Sequence, residues 1–272
     1  MLTIGWFSTG RDEAARQLLQ VVQQKIESDE IKGKILFVFS NREPGESKQS
    51  DLFFESVHSY HIPLICFSYK KFEVAQDVTD TATGESLPKW RLKYDREVMK
   101  RLRDFNPDLC VLAGYMLIVG KEMCHRYNMI NLHPAAPGGP KGSWQEVIWK
   151  LIEDNTAESG VMMHLVTSEL DRGPVITYCT FPIRGEPFDK YWREISSRSV
   201  AEIKKEQGEN NTLFQLIRKH GLAREFPLIV STLRTFSQGE VKIEADRIFN
   251  CRGKPISGYD LSGEVNRIAK LE

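Results

Sequence analysis

The chain predicts a doubly wound α/β fold with a mostly parallel sheet, and three observations point there. Short apolar runs alternate with stretches of helical periodicity through the first half of the chain. Ile35, Leu36, Phe37, Val38 and Phe39 form an unbroken apolar run, as in a strand buried on both faces of a parallel sheet. Leu109, Cys110, Val111, Leu112 and Ala113 form a second such run, the most central-looking of the chain. Strands joined through helices in this way wind with right-handed crossovers.

In order, residues 2–7 read as a strand, Ser8-Thr9-Gly10 as a turn, and residues 12–26 as a helix with Ala15, Leu18, Leu19, Val22 and Ile26 on one face. The turn admits two readings. It could cradle a phosphate at the helix N-terminus, or simply cap the helix, with Thr9 as N-cap and Asp12 three residues on. Capping carries more weight, because Asp12 and Glu13 would repel a phosphate that Arg11 attracts, and only Gly5 and Gly10 stand where a dinucleotide site would want three glycines. Strand 34–40 follows, then a helical segment near 52–60 and a strand at 63–67. Residues 77–86 are polar and read as a mobile loop. A helix at 94–105 turns Val98, Leu102 and Phe105 inward and ends before Asn106-Pro107. Residues 114–119 read as an apolar extension of the strand at 109–113, placed to wall a pocket beyond the sheet's carboxyl edge or to join the core.

Ser143 and Glu146 make a capping box for a helix whose face holds Trp144, Val147, Ile148, Leu151 and Ile152, so Trp144 and Trp149 read as packing residues. Residues 160–166 and 174–182 read as a hairpin. Helices follow at 188–199 and 213–236, broken by the polar stretch 204–211 and by Gly221 and Pro227. The pattern divides the chain into a catalytic domain at 1–185, a helical completion with an insertion at 186–245, and a tail at 246–272 with little predicted order.

Composition narrows the function classes. The 272 residues carry 37 basic and 37 acidic side chains, which leaves no electrostatic footprint for nucleic acid or an anionic membrane. The longest nearly uncharged run, at 109–120, falls well short of the ~20 apolar residues of a membrane span, and no signal peptide opens the chain, so a cytoplasmic location is expected. Cysteines 66, 110, 124, 179 and 251 are widely spaced and read as reduced and mostly buried, with no metal site.

Reactive residue types concentrate at 130–174. Asn131 and His133 are two apart after the apolar Met129-Ile130, so at a strand end both side chains leave one face. Pro134 and the Pro/Gly run at 137–140 then stop regular structure. Asn131 and a protonated His133 would supply two donors to the negative oxygen that forms when an amine attacks a carbonyl. Asp171, on the hairpin connection, would favour the charged imidazole and pass a proton through water. No Gly-x-Ser-x-Gly nucleophile is present. Singly, each residue has an ordinary structural explanation: a satisfied histidine, a turn aspartate, a loop-capping asparagine. His164 reads as a core residue or a support for His133.

Taken together, Asn131-Leu132-His133-Pro134 and Glu169-Leu170-Asp171-Arg172-Gly173-Pro174-Val175-Ile176 resemble the formyltransferase family that uses 10-formyltetrahydrofolate. Supporting segments are Val38-Phe39-Ser40-Asn41, Tyr94-Asp95-Arg96-Glu97, residues 107–116 and residues 226–230, within a span of 2–243. The resemblance implies a Rossmann-like formyltransferase fold with a C-terminal helical extension. It implies that Asn131 and His133 bind and polarise the formyl group, and that Asp171 raises the histidine pKa and orders a relay water. It places the folate against Arg91, Met116, Leu117, Ile118, Val119, Asn131, Thr167 and Glu169, and a small-molecule amine acceptor along Gly10, Arg11, Asp12, Glu13 and Gly114. Glycinamide ribonucleotide, in purine biosynthesis, is the leading acceptor. An amino sugar nucleotide, water as in a formyltetrahydrofolate hydrolase, or a binding protein that has lost catalysis are the alternatives. There is room for a homodimer. The chain departs from the family in its Ser8-Thr9-Gly10-Arg11-Asp12-Glu13 turn, in Ala135-Ala136-Pro137-Gly138 after the histidine, in Leu117 where relatives carry arginine, and in Leu222 where they carry a ribose-binding glutamate.

Overall fold

In the computed structural model, which describes residues 1–75, 87–169 and 172–269, the opening apolar run is strand β1 (Leu2–Phe7). Helix α1 (Glu13–Glu27) buries Ala15, Leu18, Leu19 and Val22, the spacing of a single helical face. Strand β2 (Gly33–Ser40), helix α2 (Lys48–Ser59), strand β3 (Leu64–Cys66), helices α3 (Tyr69–Ala75) and α4 (Lys89–Arg101), strand β4 (Leu109–Leu112), helix α5 (Lys121–Arg126) and strand β5 (Met129–His133) follow. Parallel pairing of β2 with β3, β1 with β2, β1 with β4 and β4 with β5 gives the order β3-β2-β1-β4-β5. These elements, β5 as far as Asn131, belong to the first of two units, made of Met1–Asn131, Leu165–Gly173 and Phe236–Glu240. Its core gathers Phe7, Phe37, Phe39, Tyr94, Leu102 and Tyr115, with Phe7 set edge-on to Phe37 and Tyr115 at 5.7 Å.

One local expectation changes here, and two short helices are added. Helix α4 starts at Lys89 rather than 94 and ends at Arg101, and α3 and α5 have no counterpart in the sequence reading. Helix α3 buries no side chain, so no apolar stripe announces it. The polar stretch at 77–86 lies outside the described residues.

The second unit comprises Leu132–His164, Pro174–Thr235 and Val241–Glu272. Helix α6 (Trp144–Glu153) carries the expected capping box, Ser143 to the Glu146 amide and Glu146 back to Ser143. Strands β6 (Glu158–Leu165) and β7 (Val175–Pro182) pair antiparallel, as the hairpin reading requires. Helices α7 (Asp189–Ile195), α8 (Val200–Glu206) and α9 (Thr212–Ser237) follow, then the hairpin β8 (Val241–Glu244) and β9 (Arg247–Asn250), strand β10 (Tyr259–Asp260) and helix α10 (Ser262–Ile268). Trp149, Trp192, Ile203 and Phe214 meet in this unit's core. With five parallel strands in the first unit and β10 parallel to β7 in the second, the fold is α/β and mostly parallel, with the C-terminal helices expected.

Helix α9 runs unbroken through Gly221 and Pro227, contrary to the sequence reading. Proline inside a helix costs about 3 kcal/mol. Buried Ile217, Leu228, Ile229 and Leu233 on both sides of it offset that. Residues 246–269 are likewise not a loose tail. The proposed division at 245/246 cuts between β8 and β9, and β10 pairs with β7 through Tyr259 opposite Thr177. Asn266 of α10 accepts from Arg224 Nε (2.7 Å) and donates to the Thr180 carbonyl (2.9 Å), while Glu264 accepts from Ser231 and Arg234. Burial of the cysteines is complete only for Cys110 and Cys179; Cys251 is exposed.

His220, on α9, lies against Phe188 (4.7 Å between ring centres) and Phe181 (6.3 Å). Burial first, then Arg224 and Lys219, pushes its pKa down from 6.5 to about 4. The unfolded chain therefore binds a proton between these values that the folded chain refuses, so stability rises with pH across that window. The urea midpoint should fall as pH drops from 6.5 towards 4, and H220F should lose that part of the slope. Parallel pH profiles for both proteins would remove His220 as the cause.

Candidate active site

The carboxyl ends of β1 and β4 meet through Thr9. Its amide donates to the Gly114 carbonyl (3.2 Å), and its hydroxyl accepts from the Met116 amide (3.0 Å). Thr9 is thus a clip between two loops and not the α1 cap. Asp12, the residue directly before the helix, is the cap, its Oδ1 accepting from the Ala15 amide at 3.1 Å. Gly10 has φ +62°, and a Cβ there would lie 2.8 Å from the Phe53 ring, so the turn requires glycine. The residues expected around an acceptor are mostly engaged: Arg11 pairs with Asp12 at 3.1 Å on the surface, and Glu13 accepts from Gln17.

Strand β4 ends at Leu112, and the chain turns at Gly114 (φ +70°), so 114–119 is a loop and not a strand extension. Of the expected wall residues, Met116 is 54% exposed and Ile118 45%, Leu117 is half-buried, and Val119 is buried. Arg91 stands behind this wall rather than on it. Only 4% exposed, its Nη2 donates to Asp95 Oδ1 (3.0 Å) and to the Ile118 carbonyl (2.7 Å). Asp95, 2% exposed, also accepts from the Gly120 amide at 2.7 Å. Burial, the largest influence, pushes the Asp95 carboxyl above its ordinary pKa against the pull of Arg91 and the Gly120 amide. The Arg91–Asp95 pair was absent from the sequence reading because Arg91 lies ahead of the helix predicted at 94–105; only the observed start at Lys89 puts the two residues four apart on one helix.

Asn131 and His133 both lie on β5, two positions apart, and strand alternation sends them to one face. Asn131 is half-buried and sits opposite Leu112 of β4. His133 is 3% exposed, its Nε2 3.0 Å from the Pro140 carbonyl, its ring set edge-on to His164 at 6.3 Å. A carbonyl only accepts, so this Nε2 carries a proton. The Pro/Gly loop after His133 thus folds back on the imidazole, a contact that spacing alone does not predict. His164 is buried beside it, which fits either a core or a supporting residue.

At the end of β6, the Thr167 hydroxyl donates to the Glu169 carbonyl (3.1 Å), and Glu169 pairs with Arg172 at 3.4 Å on the surface. A Cβ on Gly173 would lie 1.7 Å from the Leu165 carbonyl oxygen, so this segment depends on glycine. Asp171 lies outside the described residues. Among the described residues no three His, Cys, Asp or Glu side chains cluster to hold a metal ion, and no helix is long and apolar enough to cross a membrane.

A model of the formyl transferase family matches residues 13–187. The chain is similar to phosphoribosylglycinamide formyltransferase of Escherichia coli (strain K12), with 28% identity over 167 residues, 61% of this chain and 68% of that protein. It is similar to the enzyme of the same name from Dictyostelium discoideum, with 29% identity over 175 residues, 61% of this chain and 78% of that one. In fold it matches the phosphoribosylglycinamide formyltransferase structure from Coxiella burnetii, with a TM-score of 0.64 and 20% identity over 95% of this chain and 98% of that one. With the greater part of its length matched by the family model, the chain belongs to the formyl transferase family.

Proposed function

We propose that this formyltransferase moves a formyl group from 10-formyltetrahydrofolate to a primary amine, and that the amine is glycinamide ribonucleotide. The observation that carries the reading is the pair Asn131 and His133 at the end of β5 in a chain matched by the family model. The folate, as co-substrate, supplies the formyl group. Exposed Met116 and Ile118, with Leu117, offer the apolar surface that a flat ring system needs. Arg91 and Asp95 brace that surface from behind.

The Asn131 amide and the His133 Nε2–H are donors for the charge that develops on the formyl oxygen as the amine attacks. The Nε2–H that meets the Pro140 carbonyl is the one the formyl oxygen would take over, so the loop at 134–142 exchanges one acceptor for another. Asp171 is assigned to hold the imidazole charged and to order the water that passes the proton of the attacking amine to the folate nitrogen as its bond to the formyl carbon breaks. A cytoplasmic location fits this chemistry, since both substrates are small metabolites.

Incubating the protein with 10-formyltetrahydrofolate and glycinamide ribonucleotide should release tetrahydrofolate in step with formylated product. Activity confined to an amino sugar nucleotide would reject the acceptor and keep the chemistry; folate consumption without any amine would mark a hydrolase. Truncating both Met116 and Ile118 to alanine should raise the KM for the folate by roughly 10-fold or more, with little change in thermal stability because both are half exposed. An unchanged folate KM would take this wall out of the site.

A further inference from the structure

The first turn holds little uncommitted positive charge, yet the loop after β2 supplies it. Arg42 is half-buried, and its Nη1 donates to Ser50 Oγ at 3.0 Å. Ser50, fully buried in the first turn of α2, donates in turn to the Thr9 carbonyl at 3.2 Å. Two hydrogen bonds in series thus tie Arg42 to the turn that ends β1. Arg16, on α1, reaches the same turn of α2, its Nη1 donating to Gln49 Oε1 at 2.6 Å. Among the described residues neither guanidinium has a carboxylate within 4.0 Å, whereas Arg11 is neutralised by Asp12 and Lys71 by Glu43. Of the acidic groups on these segments, Asp51 accepts from the Gly45 amide, Glu13 from Gln17 and Glu43 from Lys71, while Glu46 has Lys71 at 4.0 Å.

Resting on the acceptor reading above, we infer that Arg42, flanked by Arg16, grips the phosphate of the amine acceptor and sets the enzyme's preference for a phosphorylated substrate. The N-terminus of α1 is poorly suited to that task. Asp12 already fills its capping position, and Glu13 follows, so an anion there would face two carboxylates. Arg42 uses one of its five N–H donors on Ser50, and the remaining fork matches phosphate oxygens in pairs. Its position fits as well, since ligands of open parallel sheets lie beyond the carboxyl ends of the strands. Ser50 and the Thr9 carbonyl hold the guanidinium at that edge before any ligand arrives, which lowers the entropy lost on binding.

The test compares wild type, R42A and R42K with glycinamide ribonucleotide and with its dephosphorylated riboside, alongside calorimetric titration with ribose 5-phosphate. R42A should raise the KM for the ribonucleotide by roughly 10- to 100-fold, the scale of a charge-assisted contact, and leave kcat and the folate KM within about twofold. Its preference for ribonucleotide over riboside should fall by the same factor. R42K, which keeps the charge but loses the fork, should lie between, and it carries the test if R42A fails to fold. A folded R42A or R42K with wild-type KM and wild-type preference overturns the assignment. If the wild type does not formylate the ribonucleotide, the acceptor reading falls alone and the titration decides: ribose 5-phosphate bound by wild type and at least 10-fold more weakly by R42A retains the phosphate grip, while equal affinity or no binding to wild type ends it.

Discussion

Replacing His133 with alanine is expected to lower kcat and kcat/KM together by about 10²-fold or more, the range for a lost oxyanion donor or acid-base group. Equal loss in both constants marks an interaction made only in the transition state, whereas a rise in KM alone would mark a binding role. His133 is buried with its Nε2 proton directed at the Pro140 carbonyl, so the truncation removes a donor already positioned by the fold. Asn131→Ala should fall in the same range through the second donor. Asp171→Asn should also lose about 10²-fold. Near-normal rates in both H133A and D171N would end the assignment of this chemistry to the β5 end.

The largest expected effect on stability is that of Asp95→Ala. Removing one member of a buried ion pair leaves the other charge unpaired and destabilises by about 3–5 kcal/mol, on the order of 10 °C in Tm for a chain of this size. Arg91 and Asp95 meet these conditions, at 4% and 2% exposure and 3.0 Å apart. The pair itself need not be strongly stabilising, because burial already pushes the Asp95 carboxyl up against the pull of Arg91. R91M/D95L should accordingly lose much less than D95A alone. Since Asp95 holds the Gly120 amide and Arg91 the Ile118 carbonyl, folded D95A should also show a raised KM for the folate. A D95A melting temperature within 2–3 °C of wild type, a loss of about 1 kcal/mol, would show that the brace is dispensable.

Periodicity alone located most of the first unit. Strand β2 is a continuous apolar run and α1 a stripe at helical spacing, both local patterns that survive folding unchanged. Asn131 and His133 were legible for the same reason, since a strand places residues two apart on one face whatever surrounds it. The wall at 114–119 was legible as apolar but not in shape, because the positive φ of Gly114 belongs to a turn that glycine permits without announcing. Pro227 misled in the opposite direction: a strong local breaker sits inside α9, where packing on both sides outweighs it.

What the sequence by itself determined is the alternation of strands and helices, the capped start of α6, and the strand that carries the two polar residues on one face. Each follows from chemistry within a few positions along the chain. What only the tertiary structure decided is which groups meet across long separations: Thr9 with Met116, Arg42 with Ser50 and through it Thr9, Tyr259 of β10 beside Thr177 of β7. Such meetings depend on backbone paths, and composition and spacing do not encode those paths residue by residue. The charge around the first turn was therefore assigned to Arg11 from its neighbours in sequence, while the fold pairs Arg11 with Asp12 and brings Arg42 to the turn from the next strand.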